Sequence, residues 1–440
     1  MAGWRSVRAQ VPALLALAVP IIAGLAASML INVTDSLMIA PLGTVALAAV
    51  GLTGAIATMH VAAIYGLLSA LSVRIGFAHG AGEGRAIAAL MRNGMALGAG
   101  VGALAMLVMG VIWFLLPLLG QPPEVLAAMP GYYAAITCYM IPFGVLMVFK
   151  ASFEAVGRPW LGTGLALFAV VVNVPLNYML IWGIGPFPEL GLTGAGIASV
   201  LAEGVALALA WMLWSWAPSL RRMRIRAALS LRRMRAVAVE GAPLGLMYLV
   251  ETAAVAVVTV LIGTFGTVAL AGNQVAMAVG GVVYMIPLGV AGAVAIRVAQ
   301  ERGAGNLAAL RPVAFAALSV ATVWLSGSAV LFAFGGRWLA GLVVADPAVV
   351  ATAASILLVF ALAQVFDGVQ STMVGALRGL SDTAWPAGVS ILAYWVFALP
   401  LGWVLAAPLG LGPGGIWLGW IMALAWAGGM LTWRFLRKTG

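Results

Sequence analysis

Long apolar runs dominate the chain, broken at intervals by short clusters of glycine, proline and charge. Read by hydropathy and by those breaks, the runs lie near residues 11–34, 45–73, 88–116, 131–150, 161–184 and 191–216, then 237–262, 268–296, 308–334, 348–376, 384–405 and 414–433. A helix needs roughly 20 apolar residues to cross a hydrocarbon core of about 30 Å, and each run comes close to that or exceeds it. Barrel strands would be about 10 residues long and of alternating polarity. The pattern predicts an all-α integral membrane protein with twelve transmembrane helices and short loops.

The pattern also repeats. Residues 40–83 align without a gap on residues 263–306, from Gly43-Thr44-Val45-Ala46-Leu47-Ala48 on Gly266-Thr267-Val268-Ala269-Leu270-Ala271 to Gly80-Ala81-Gly82-Glu83 on Gly303-Ala304-Gly305-Asn306. Arg74 falls on Arg297 and Pro20 on Pro243 at the same offset, and Pro175-Leu176 resembles Pro400-Leu401. Two homologous six-helix lobes are expected, residues 1–216 and 237–440, joined by a basic cytoplasmic linker at 217–236. An even number of spans gives both repeats the same orientation, so a pair of lobes facing one another across a cleft is the expected architecture. In so apolar a chain, such a repeat points to a transporter. Pro20 and Pro243 each remove a helical hydrogen bond, and the kink is either structural or a hinge for gating.

Charge fixes orientation. Hydrophobic residues make up 64% of the chain and charged residues 8%, which excludes an ordinary soluble enzyme. With both termini cytoplasmic, 21 of the 22 basic residues lie in or beside cytoplasmic loops and only Arg337 lies outside. The net charge of +10 is thus accounted for by topology beside anionic headgroups rather than by nucleic-acid binding. The densest basic stretch, Arg221 to Arg235, reads as the linker, with an amphipathic helix on membrane lipids as one form it could take.

Acidic residues inside lipid are costly, by about 2.5–3.5 kcal/mol at a helix centre, and face a bundle interior or water. Four carboxylates sit in apolar spans: Asp35, Glu203, Glu251 and Asp367. Asp367 lies 11 residues from Arg378, or about 16 Å along a helix, which is near the midplane. Glu251 lies 16 residues from Arg235, about 24 Å in. Asp35 falls near the outer surface, where a role in the turn before Pro41 competes with a functional one. Glu203 is deep, either as a cavity group or as a neutral acid bonded to a neighbouring helix, and the second is the expected state. Asn173 and Asn177 share a helix face one turn apart. Asn273 and Gln274 open the eighth span, and Gln370 follows Asp367. Such amides serve as interhelical glue or as oxygen ligands for a hard cation.

Other chemistries lack their residues. The sequence has no HExxH and no cysteine cluster, Cys138 is its only cysteine, and Gly80-Ala81-Gly82-Glu83-Gly84 lacks the ending of a phosphate loop. A lipid-modifying enzyme would need a nucleophile or metal cluster, and neither is evident. No cofactor is expected, and an ion gradient is left to energise transport.

With these residues in view, the chain resembles the MATE (multidrug and toxic compound extrusion) transporters of the bacterial NorM-like branch. The resemblance rests on Asn32-Val33-Thr34-Asp35-Ser36-Leu37-Met38, on Pro243-Leu244-Gly245-Leu246 with Glu251, on Met285-Ile286-Pro287-Leu288-Gly289, and on Phe366-Asp367-Gly368-Val369-Gln370 running into Gly375-Ala376-Leu377-Arg378-Gly379-Leu380-Ser381-Asp382-Thr383. It implies a V-shaped pair of lobes in the bacterial inner membrane, a monomer that exports amphipathic, cationic compounds in exchange for Na⁺ or H⁺. Glu251 and Asp367 match the family's C-lobe cation site, where Na⁺ would bind. Asp35, Asn173 and Asn177 match its N-lobe polar cluster. Some relatives carry a tyrosine one turn before the aspartate; here it is Ala363, which leaves H⁺ open as the coupling ion. A related flippase for lipid-linked substrates is the alternative, and its cavity would carry more cationic side chains.

Overall fold

The computed structural model describes residues 3–217, 220, 224 and 227–440, without the side chain of Leu119. Twelve of its helical segments are long and apolar enough to cross a membrane. The first six are formed by α1 (Trp4–Ile39), α2 (Thr44–Gly80), α3 (Gly84–Leu115), α5 (Pro130–Ala155), α6 (Pro159–Trp182) and α7 (Gly191–Trp216), with a short α4 (Pro123–Ala128) between the third and fourth. The second six comprise α8 (Leu231–Gly263), α9 (Thr267–Gly303), α10 (Leu310–Gly341), α11 (Pro347–Gly379), the pair α12 (Ala384–Leu392) and α13 (Leu399–Ala406), and α14 (Gly412–Thr439). No strand occurs among the described residues. Arg221, Arg222 and Arg226 of the expected linker lie outside the described residues, whereas Leu231 to Arg235 form the first turns of α8 rather than a tether.

Lipid-facing surface is legible on single helices. Leu104, Leu107, Val111 and Phe114 recur at helical spacing on α3 and are exposed, as are Val323, Val330, Phe334 and Trp338 on α10. Apolar stripes of this extent on a water-soluble surface would drive aggregation, and in a bilayer they are the ordinary exterior.

By packing, the chain divides into two compact units that do not coincide with the sequence halves. One runs from Ala23 to Gly245; the other joins Leu246–Gly440 to the first helix as far as Ile22. Each division falls two residues beyond an internal proline, Pro20 in α1 and Pro243 in α8. The start of α8 is fixed within the first unit by Arg74, which pairs with Glu240 at 2.6 Å and donates to the Ala236 carbonyl at 3.1 Å. Its repeat counterpart Arg297 does the corresponding work within the second unit, donating to Gln10 of α1 at 3.2 Å.

The fourth span of each repeat is the hub of its unit. In the first, α5 packs on α2, α3, α6 and α7; in the second, α11 packs on α9, α10 and α14. Glycines let these backbones approach. A Cβ at Gly98 on α3 would stand 2.5 Å from the Gly144 carbonyl oxygen of α5, and one at Gly379 on α11 would stand 2.7 Å from the Ala295 oxygen of α9. The motif after Asp367 therefore has a packing meaning. Gly375 and Gly379 seat α11 on α9, and Ser381 turns the chain at a positive φ of 60°. Asp382 then accepts from Arg434 at 2.9 Å and Lys438 at 2.8 Å on α14.

Between α12 and α13 the helix widens into a π segment, Ala393–Ala398. Pro400 follows, and a proline without an N–H leaves the carbonyl four residues before it unpaired, a defect that a wider turn accommodates. The segment's Trp395 donates its indole N–H to the Val250 carbonyl at 3.0 Å, tying it to the residue before Glu251.

Gly98 and Gly100 provide a paired test. Gly98→Val forces two backbones apart and should lower stability by roughly 1–3 kcal/mol, the usual cost of overpacking. Gly100→Ala adds a methyl group where nothing lies within 4 Å, so its thermal midpoint in detergent should equal or slightly exceed that of wild type.

Candidate functional site

Each unit encloses a cavity containing carboxylates that the sequence placed in the membrane. In the first unit, Asp35 of α1, Asn173 and Asn177 of α6 and Ser199 of α7 close a ring of hydrogen bonds. Asn177 Nδ2 donates to Asp35 Oδ1 at 2.5 Å and to Asn173 Oδ1 at 3.0 Å. Asn173 Nδ2 donates to Ser199 Oγ at 3.4 Å, and Ser199 Oγ donates to Asp35 Oδ2 at 3.3 Å. The i, i+4 spacings do this work: Asn173 and Asn177 present both amides from one helix face, and Ser199 stands one turn above Ala195, whose carbonyl it also reaches at 3.2 Å. Both asparagines are fully buried, and Asn177 Oδ1 has no partner.

The ring opens on a cavity of about 290 Å³, which Asp35, Asn173 and Ser199 line together with Tyr132, Tyr139, Lys150 and Glu203. Asp35 therefore does more than end a helix before a turn. Glu203 is 7% exposed, one turn from Ser199 on α7. Among the described residues its carboxylate has no hydrogen bond, and Lys150 is its electrostatic neighbour. The bond to an adjacent helix that was expected of Glu203 is therefore absent among the described residues. Tyr139 lies within electrostatic reach of both Glu203 and Asp35.

In the second unit, Glu251 of α8 and Asp367 of α11 line one cavity of about 230 Å³ and sense each other's charge. Among the described residues no basic side chain lines it. Tyr284 donates its hydroxyl to Glu251 Oε1 at 3.5 Å. Tyr394, carried by the π segment, also bonds Glu251, while Gln370 Nε2 donates to the Tyr394 hydroxyl oxygen at 3.2 Å and to Ser390 Oγ at 3.1 Å. Gln370 thus stands behind the cavity and holds Tyr394. Gln364 lines the cavity itself and accepts from Ser328 at 3.5 Å.

The remaining amides lie elsewhere. Asn273 is fully buried and does not itself line the cavity, but it accepts the indole N–H of Trp417, which does, at 3.0 Å. Gln274, its neighbour, is exposed. Pro20 is buried in α1 and lines neither cavity. Sequence reading missed Ser199, Tyr139, Tyr284 and Tyr394. A serine hydroxyl can bond a carbonyl of its own helix, as Ser199 does with Ala195, and tyrosine is largely apolar, so unlike carboxylates they leave no anomaly in a hydropathy pattern.

Comparison with known proteins matches the sequence to one family. The MatE family model matches residues 20–179 and again 243–404, so the two matches begin at Pro20 and Pro243. The chain is 34% identical over 385 residues to "Probable multidrug resistance protein NorM" of Deinococcus radiodurans, covering 86% of this chain and 84% of that one. It is 31% identical to the protein of the same name from Synechococcus sp., over 99% of this chain and 96% of that one. Among solved structures, the fold superimposes on the eukaryotic MATE transporter AtDTX14 with a TM-score of 0.88 at 21% identity, covering 99% of both chains. The bent form of the Vibrio cholerae MATE transporter VcmN gives a TM-score of 0.86 at 22% identity, covering 99% of this chain and 98% of that one.

Asn273 tests the distinction between glue and site. Asn273→Leu leaves the Trp417 N–H without an acceptor and should cost about 1–3 kcal/mol of stability. The expected result is a lower thermal midpoint, with any change in transport arising through the Trp417 ring that Asn273 holds at the cavity.

Proposed function

We propose, for a chain that belongs to the MatE family, a secondary active antiporter that exports amphipathic, cationic drugs or metabolites in exchange for Na⁺ or H⁺ by alternating access. The observation that carries the reading is the pair Glu251 and Asp367 facing one cavity that no basic side chain among the described residues lines. Two carboxylates taken out of water without a counter-charge are costly, and a proton, an inorganic cation or a cationic drug entering the cavity relieves that cost. The names of the bacterial relatives, which speak of multidrug resistance, support export of such compounds.

Coupling requires that ion and drug favour different orientations of the transporter, because a ligand shifts an equilibrium only by its differential affinity for the two states. Shared carboxylates supply the link, since occupation by one cation removes the charge that attracts the other. Asp35, held by Asn177 and Ser199, is the corresponding group in the first unit. The protein acts as a monomer in a bacterial cytoplasmic membrane with both termini inside, a topology favoured by its basic residues. A flippase for lipid-linked substrates is less well supported, because among the described residues Lys150 is the only basic one lining either cavity.

Ethidium efflux from inverted vesicles, energised separately by a Na⁺ gradient and by a pH gradient, tests the proposal; efflux with neither gradient dependence refutes it. Asp367→Asn and Glu251→Gln should each slow gradient-driven efflux by at least about ten-fold, equivalent to ~1.4 kcal/mol, at unchanged protein level in the membrane. Glu203→Gln removes the charge facing Lys150. If Glu203 belongs to the ion pathway, the variant shifts the pH optimum of efflux; an unchanged profile assigns it a packing role.

A further inference from the structure

The second unit gathers positive charge at a place that lines neither cavity, where α14 ends beside the turn between α11 and α12. Asp382 in that turn accepts from both Arg434 and Lys438, so one carboxylate serves two cations. Arg437 of the same helix end is exposed and adds a third. Arg302 reaches the corner from α9, donating to Ser381 at 3.2 Å. Of the three basic side chains on α14, Asp382 offsets one charge.

Two of these cations are held by aromatic rings. Arg434 Cζ stands 5.0 Å from the centre of the Trp385 ring and Arg437 Cζ stands 5.5 Å from that of Trp433, while the two rings lie 6.5 Å apart. Stacking occupies the flat face of a guanidinium and leaves donors on its edge for an oxyanion. Depth along the helix gives the pair its meaning. Trp433 lies 21 residues after Gly412, where α14 begins, or about 32 Å at 1.5 Å per residue. A hydrocarbon core of about 30 Å therefore ends near this indole, and Arg437, one turn further on, sits among the head groups.

The edge of α14 that leads to Arg437 is apolar. Met422, Trp426 and Trp433 are exposed, at spacings of four and seven residues that keep them on one helix face, and Arg437 extends that face by four more. Phe397 of the π segment widens it, meeting Trp426 at a centroid distance of 4.8 Å. A free phosphate would use the cations and leave this edge idle. An amphiphile with an anionic head and a hydrocarbon tail uses both. We infer that the end of α14 is a binding site for an anionic phospholipid, its phosphate held by Arg434, Arg437 and Lys438 above the Trp385–Trp433 pair and an acyl chain laid along the Met422–Trp426–Trp433 edge. The site goes beyond the antiport reading and depends on neither cavity. Because Asp382 and Arg302 tie the same corner to α11 and α9, a lipid bound there braces the second unit.

The test is the thermal midpoint of the purified full-length protein in detergent, titrated with dioleoyl phosphatidylglycerol or with dioleoyl phosphatidylcholine, whose acyl chains are the same and whose head is zwitterionic. A saturable rise with the anionic lipid and a smaller or absent rise with the zwitterionic one are expected. The double variant Arg437→Gln, Lys438→Gln should raise the half-saturating fraction of anionic lipid by about 25-fold, five-fold for each charge, which corresponds to ~1 kcal/mol per basic residue. Arg85→Gln with Arg92→Gln removes two exposed charges from α3 and should leave it unchanged. Arg437 and Lys438 are exposed, and lipid-free midpoints report folding; if the double variant is unstable, Arg437→Gln alone carries the test, with about five-fold expected. Equal stabilisation by the two lipids, or equal weakening in the α3 control, overturns the inference, because diffuse surface charge then accounts for binding. A rise of the same size with inorganic phosphate alone also overturns it, by making the occupant a free anion.

Discussion

A carboxylate cannot face hydrocarbon, and the architecture follows from that constraint. Asp35, Glu203, Glu251 and Asp367 must each be enclosed by protein, so each unit has to build a cavity inside a helical bundle surrounded by lipid. Lipid offers no hydrophobic drive to pack helices together, and close backbone contact must replace it. Glycine supplies that contact at Gly98 against Gly144 and at Gly379 against Ala295, on the hub helices α5 and α11. The hubs then carry the chemistry: Tyr139 and Lys150 on one, Asp367 on the other. Packing residues and site residues thus share helices, and a change at a hub glycine disturbs both.

Much of this was legible in the sequence because lipid imposes coarse, one-dimensional rules. Twelve apolar runs gave the twelve spans, and the gapless repeat from Ala40 gave the duplication that the two family matches reproduce. Deep acids announced themselves singly, because no run of leucine and valine explains an aspartate. The companions of those acids were silent. Ser199 is one hydroxyl among many, and nothing in the spacing of Trp417, Trp420 and Tyr394 separates a cavity wall from ordinary core aromatics. Asn273 and Gln274 were over-read for the opposite reason: an amide in a span is conspicuous whether it binds a ligand or, like Asn273, only an indole N–H.

The packing boundaries were hidden for a further reason. Homology divides the chain at the linker, whereas the compact units divide at Ile22 and at Gly245, just past Pro20 and Pro243. Sequence repeats record ancestry and contacts record present packing, and the two need not coincide. The packing division is marked by a long-range pair in each unit, Arg74 with Glu240 and its counterpart Arg297 with Gln10, and neither pairing can be read from spacing along the chain.

The two cavities solve the same electrostatic problem differently. Asp35 receives hydrogen bonds on both oxygens, from Asn177 and Ser199, so much of its charge is already met by fixed dipoles of the protein. Glu251 has two tyrosine hydroxyls, and Asp367 has no hydrogen bond among the described residues, although the two acids share one cavity. A site whose dipoles compensate the charge holds a cation weakly and releases it easily. In the second cavity Asp367 keeps its charge without a donor among the described residues, so that cavity attracts positive charge more strongly. The two units thus meet the cost of a carboxylate in the membrane by different means, fixed donors on both oxygens of Asp35 in one and a cavity shared by two acids in the other.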